Sequence, residues 1–259
     1  MSAIITVTNQ KGGVGKTTTA SALMDGLRRR GARVLGVDLD PQGSLGFCMG
    51  LDIESCATVY DVLKGTKNIR EVIAESDCGD ILPSNILLSA AELEFNRPGR
   101  EFLLKTCLDE VIEDYDYVII DTPPALNVLT VNAYVAADGL IIPMAPEILS
   151  LLGISQIRET INTVRRCYNS RLQVLGIVLN KFNWRFTLNR EVLDMAEEIA
   201  QQLDTTVFES RIRSAIAVAE APAHGESVLS YAPDSKVARD FRLLINEIVR
   251  VYNPALLNS

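Results

Sequence analysis

The apolar positions of the chain fall into short runs that do not alternate with polar ones. "AIITVT" from Ala3, "RVLGVD" from Arg33, "YVIID" from Tyr117, "GLIIP" from Gly139 and "VLGIVLN" from Val174 are rich in valine, isoleucine and leucine. Runs of that kind predict strands buried on both faces of a parallel sheet. Between them, helical patterns cover 16–30, closed by Gly31, and 100–114, 149–168 and 187–203. Strands alternating with helices predict right-handed crossovers and an α/β fold: a twisted, mostly parallel sheet with helices on both faces. A last helix over 235–252 places Phe241, Leu244, Ile245, Ile248 and Tyr252 on one stripe. Acids as well as arginines flank that stripe, and the tail "NPALLNS" is not basic. The helix is therefore expected to dock on the core instead of lying on a membrane. No linker, low-complexity tract or internal repeat interrupts the pattern, so one domain over 1–259 is expected.

Composition narrows the class. With 259 residues, 47% of them hydrophobic, and only 10 prolines, the chain has material for a sizeable core. No apolar run is long enough to span a bilayer. The start, "MSAIITVT", enters a strand without a basic leader or cleavage site, so a cytoplasmic location is expected. Cys48, Cys56, Cys78, Cys107 and Cys167 are scattered, odd in number and without a C-x-x-C pair, which predicts reduced thiols and neither disulfides nor a metal site. The formal charge of −8 repels nucleic acid on average, so binding to it would need a local basic patch.

The candidate chemistry lies directly after the first strand, in "TNQKGGVGKTTTA" from Thr8 to Ala20. The usual phosphate-binding loop, G-x-x-x-x-G-K-[ST], is matched by Gly15, Lys16 and Thr17 but has Gln10 where its first glycine belongs. Gly12, Gly13 and Gly15 let the backbone turn tightly around Val14, and the helix opening at Lys16 and running through Thr18 adds the positive end of its dipole. Lys16 would reach the β- and γ-phosphates, and the Thr17 hydroxyl would ligate Mg²⁺. "YVIIDTPPA" ends an apolar strand in Asp121, the form of a Walker B strand whose carboxylate holds magnesium through water. "RVLGVDLDPQG" ends another strand with Asp38, still inside the apolar run and open to a structural reading, and Asp40 at its mouth. Asp40 is the candidate to orient an attacking water, with a possible water-mediated hold on the metal. These clusters all fall at strand C-termini, where open α/β sheets place ligands.

The second lysine, Lys11, distinguishes the loop. "KGGVGKTT" resembles the deviant Walker A motif of the ParA/MinD-type ATPases, in which the extra lysine reaches across a dimer to the partner's nucleotide. The resemblance covers nearly the whole chain and is closest to partition ATPases of the ParA/Soj kind. "VDLDPQGS" looks like that family's Walker A′ segment and "IIDTPPALNVLTVNA" like its Walker B segment. "EAPAHGESVLSYAPDSKVARDF" is similar to its C-terminal signature. The resemblance implies a P-loop NTPase fold, ATP and Mg²⁺, and a homodimer sandwiched on ATP. It further implies non-specific binding of that dimer to double-stranded DNA, slow hydrolysis and a ParB-like activator. Asn180 would read the adenine edge, Arg213 would line the nucleotide, and no membrane partner is implied.

The chain departs from the family where DNA is bound. "IRSAIAVAEAP" places Ser214 and Ala217 at two family arginine positions, puts Arg213 at a proline, and leaves Arg185 as the match to a DNA-contacting arginine. Arg190, Arg211, Arg213, Lys236 and Arg239 could rebuild a basic surface with it. The alternative is a MinD-like or orphan positioning protein that acts on a membrane or protein scaffold. His224, the only histidine, is read as structural, and the family's asparagine after "DPQG" is Ser44 here.

Overall fold

The computed structural model describes residues 2–146, 154–182 and 188–252. Its strands are β1 (Ala3–Val7), β2 (Val34–Asp38), β3 (Asp80–Leu82), β4 (Tyr117–Asp121), β5 (Gly139–Met144), β6 (Gln173–Phe182) and β7 (Val207–Arg213). They form one seven-stranded sheet in the order β3-β2-β4-β1-β5-β6-β7. Every ladder between these strands is parallel. Because β1, β2, β4 and β5 are covered on both faces, nearly all their side chains are buried, which is why their sequences do not alternate.

The helices are α1 (Lys16–Arg28), α2 (Ser44–Cys48), α3 (Val59–Lys64), α4 (Ile69–Val72), α5 (Ala91–Glu94), α6 (Leu103–Leu108), α7 (Val128–Ala136), α8 (Ile154–Cys167), α9 (Leu188–Gln202), α10 (Ile216–Glu220), α11 (Val228–Tyr231) and α12 (Lys236–Tyr252). Within β4, Val118 and Ile120 join the core beneath α3, α6, α7 and α8. Tyr117 and Ile119 face the opposite core, built with α1, α11 and α12. The stripe of α12 is docked as expected, with Phe241, Leu244, Ile245 and Ile248 buried; the Tyr252 side chain lies outside the described residues. Among the described residues no helix is long and apolar enough to cross a membrane.

Several boundaries differ from expectation. The helix over 100–114 is three pieces: a 3-10 turn at Arg100–Phe102, then α6, then a second 3-10 turn at Ile112–Asp114. Asp109, Glu110, Glu113 and Asp114 crowd what would be its C-terminal end, where the helix dipole disfavours negative charge. The first helix stops at Arg28, and Gly31, at φ 85°, donates its N–H to the Arg28 carbonyl at 2.8 Å and turns the chain into β2. Of the helix expected over 149–168, Ile154–Cys167 is described; 149–153 fall outside the described residues.

The parallel register places the chemistry. Asp38 at the end of β2 and Val7 at the end of β1 both pair with Asp121 at the end of β4. The loops leaving β1, β2 and β4 therefore open on one edge of the sheet, next to the end of β6.

Candidate functional site

These loops enclose a cleft of about 520 Å³, within the usual range for a small-molecule site. The phosphate loop and helix start, residues 12–18, line it together with Asp40, Ser44, Cys48, Pro124, Asn180, Lys181 and Arg213. An apolar wall completes the lining: Ile212, Ala215, Val218, Ala219 and Phe241. Sequence reasoning does not single out that wall. Ile212, Ala215, Val218 and Ala219 fall in "IRSAIAVAEAP", whose small apolar residues carry no chemistry of their own, and Phe241 ends the C-terminal signature.

The loop is shaped for an anion. Gly15 caps α1 in the left-handed region (φ 90°) without any side-chain bond to the helix start, and no acid sits in the first turn. The first N–H groups of α1 are therefore left to a ligand, at the positive end of the helix dipole. Gly13 is also left-handed (φ 72°), and a Cβ added at Gly12 or Gly13 would meet nothing within 4 Å, so the space over the loop is open. The Lys11 N–H is held by Asn9 Oδ1 at 3.0 Å, which fixes the entry to the loop.

Lys16 is buried and donates its ammonium to the Lys11 carbonyl at 3.1 Å. Burial lowers its pKa, and the nearby carboxylates of Asp121 and then Asp40 partly offset that. A buried cation with few partners gains by meeting an anion. The Thr17 hydroxyl donates to Asp121 Oδ2 at 2.6 Å, while Asp121 Oδ1 is buried with no partner. Burial pushes the Asp121 carboxyl up to about 7, with the Thr17 bond and Lys16 pulling it down. A hydroxyl and a carboxylate with an unsatisfied oxygen side by side are hard oxygen donors, so these residues fit a magnesium ion. Among the described residues no group of three or more His, Cys, Asp or Glu is placed to hold a metal ion.

Asp38 and Asp40 sit differently. Asp38 is fully buried and accepts the N–H groups of Asp40 at 2.9 Å, Leu45 at 2.9 Å and Gly46 at 3.4 Å, closing the turn into α2. Burial first, then Asp121, raises its pKa well above the ordinary value. Asp40 accepts the Gln42 N–H at 3.0 Å and lines the cleft. His224 stacks on Tyr231 with ring centres 4.9 Å apart. All five cysteines are free thiols.

Two of the six candidates for a basic surface, Arg211 and Arg213, are engaged within the chain. Arg213 lies against the cleft, but its guanidinium grips Asp240 of α12 through Nε–Oδ2 at 2.6 Å and Nη2–Oδ1 at 2.7 Å. Arg211 folds back onto the Phe208 and Glu209 carbonyls, with its Nε buried and unpartnered. Lys236 and Arg239 are exposed on α12. Arg185 lies outside the described residues, and Arg190 is placed only as a position in α9.

A family model described as an AAA domain matches residues 2–174. The sporulation initiation inhibitor protein Soj of Bacillus subtilis is 37% identical over 254 residues, covering 96% of this chain and 98% of that protein. The chromosome partitioning protein ParA of Myxococcus xanthus is 35% identical over 255 residues, covering 97% of this chain and 89% of its own. Among solved structures, cobyrinic acid a,c-diamide synthase from Mycobacterium smegmatis with bound ADP and magnesium superimposes with a TM-score of 0.85 at 35% identity, covering 97% of this chain and 96% of that one.

Proposed function

The chain belongs to the ParA/Soj family of partition ATPases, and on that premise we propose that it is an ATP-driven dimer switch that partitions chromosome or plasmid DNA or positions another cargo. The observation that carries the reading is that the uncapped start of α1, with its Thr17 bonded to Asp121, opens on a cleft that Asp40 also lines. The N–H groups of the loop and of Lys16, Thr17 and Thr18 would hold the phosphates, and the Lys16 ammonium would follow charge onto the β- and γ-oxygens. The Thr17 hydroxyl and, through water, Asp121 would hold Mg²⁺, which supplies positive charge between those phosphates. Asp40 would accept a hydrogen bond from the attacking water and orient it. Lys11 would reach the partner copy's triphosphate, so that ATP bridges two protomers and hydrolysis parts them. In the ATP dimer the cations of one face would add to those of the other to bind duplex DNA without sequence preference, and a ParB-like protein would speed hydrolysis.

One observation favours a protein scaffold as the alternative track. Arg213 is paired with Asp240, and Ser214 and Ala217 stand at the two positions where the family resemblance places arginines. Holding Asp40→Ala protein with Mg²⁺ and ATP over random duplex DNA and, separately, over anionic liposomes decides the track. Retention on DNA that weakens steeply with salt supports the nucleoid reading. Failure on both supports a scaffold, and retention on liposomes alone overturns the DNA reading in favour of membrane.

A further inference from the structure

α12 carries two acids, Asp240 and Glu247, seven residues apart and therefore on one face of the helix, and both turn to β7. Asp240, 6% exposed, accepts the Arg213 N–H at 3.2 Å in addition to the two guanidinium bonds. Glu247 accepts the Glu209 N–H on Oε2 at 2.7 Å and the Ser210 N–H on Oε1 at 2.8 Å, and Oε1 also takes the Ser210 hydroxyl.

Two successive backbone N–H groups cannot meet one carboxylate from a regular strand, in which they point to opposite sides. β7 is irregular at this place: β6 advances from Ile177 to Leu179 while β7 runs from Val207 to Arg211. The extra residues form a bulge at the edge of the sheet, and bulges beside functional sites re-aim the side chains that follow. The Glu247 carboxylate holds the N–H groups of this bulge, and the Arg211 guanidinium, donating to the Phe208 and Glu209 carbonyls, holds its C=O groups. Without that carboxylate both N–H groups lose their partners, and β7 can run on in a shifted register that puts other side chains on the cleft.

The residues that follow the bulge build the apolar wall. Ile212 and Arg213 end β7, Ala215 and Val218 come directly after it, and Phe241, next to Asp240 on α12, is 1% exposed. A triphosphate gains little from the apolar side chains here, whereas the flat face of a nucleoside base is matched by them. We propose that Glu247 is a positioning residue for the nucleoside half of the cleft: by fixing the bulge of β7 it sets the register in which the wall meets the ligand, while Asp240 holds the same strand two helical turns away. The inference rests on the nucleotide reading of the cleft and adds to it a group behind the wall that shapes it.

Calorimetric titration of wild type, Glu247→Ala, Glu247→Asp and Glu247→Gln with Mg²⁺ and either ATP or inorganic triphosphate tests it, with melting of each protein followed without ligand. Inorganic triphosphate occupies the phosphate loop and leaves the wall untouched. Glu247→Ala should weaken ATP about tenfold and leave inorganic triphosphate within about twofold, and Glu247→Asp, one methylene short of the bulge, should show the same pattern. Glu247→Gln keeps an oxygen with two lone pairs for the N–H groups and should bind both ligands as wild type does. Unchanged ATP affinity in Glu247→Ala overturns the proposal, even with lowered melting, because that marks a merely structural bond. An equal loss of both ligands overturns it as well. So does a Glu247→Gln protein that loses ATP as Glu247→Ala does, because charge and not the accepted bonds would then be at work. If Glu247→Ala does not fold, Glu247→Asp decides the matter on the same criteria. Wild type that binds neither ligand, or ATP alone, would instead sink the reading of the cleft as a phosphate cradle.

Discussion

Replacing Asp121 with asparagine should make the ligand-free protein more stable while disabling its site. The carboxyl is fully buried, and that burial pushes it from an ordinary 3.8 up to about 7. In the unfolded chain the group ionises near its ordinary value, so between about pH 4 and pH 7 the folded protein holds a proton that the unfolded chain has released. The stability tied to this group is therefore complete below pH 4 and is lost as pH rises through 7. At about 1.4 kcal/mol per tenfold change in acidity, the rise amounts to about 4 kcal/mol at pH 8 and about 2 kcal/mol at pH 5.5. An asparagine has no charge to desolvate and can still pair with the Thr17 hydroxyl. The gain is offset in part because Lys16 loses the carboxylate that holds its pKa up. Urea unfolding of wild type and Asp121→Asn without nucleotide, at pH 5.5 and pH 8, reads the effect as a difference in which titrating groups remote from Asp121 cancel, while Asp38 and Lys16, whose pKa values Asp121 raises, do not. The variant should be more stable at both, with a gain about 2 kcal/mol larger at pH 8, and should lose magnesium-dependent nucleotide binding. A variant no more stable than wild type at pH 8, or one whose gain is the same at both pH values, refutes the argument that a desolvated carboxylate carries this cost.

Other substitutions probe separate parts of the account. Lys16→Ala removes both charge and phosphate geometry and should abolish nucleotide binding; micromolar ATP affinity in a calorimetric titration would contradict this. Asp40→Ala should bind ATP but hydrolyse it far more slowly, and wild-type turnover in a phosphate-release assay would remove Asp40 from the role of orienting water. Gly225→Ala should destabilise by about 2–4 kcal/mol, because Gly225 has a φ of 67° and its new Cβ would sit 2.8 Å from the Gly50 Cα, where backbone cannot give way. Gly50→Ala meets only ordinary contacts at 3.6 Å and should cost about 1–2 kcal/mol, the left-handed conformation alone; denaturation midpoints of the two variants check the contrast.

What is legible in the sequence follows burial. β1, β2, β4, β5 and β6 announce themselves because the sheet's interior strands are apolar on both faces. β3 and β7 escape the pattern because they are the edges: β3 is three residues long, and β7 reads "VFESRIR", with polar residues facing water and α12. α7 escapes it for the opposite reason. It is buried nearly all round, so "VLTVNAYVA" shows no polar face to set a helical period. The phosphate loop, Asp40 and Asp121 are legible because their chemistry is local and sits at strand ends. The partnership of Asn180 with Val14 joins residues 166 positions apart, and that of Arg213 with Asp240 depends on where α12 docks, so neither can be seen without the fold.

Sedimentation of the Asp40→Ala protein in Mg²⁺ and ATP, with and without Lys11→Ala added, tests the shared-nucleotide switch most directly. The account predicts a two-copy species with ATP, a single copy with ADP, and a return to a single copy when Lys11 is removed although ATP is still bound. A single copy with ATP bound, or a dimer indifferent to Lys11, would contradict it.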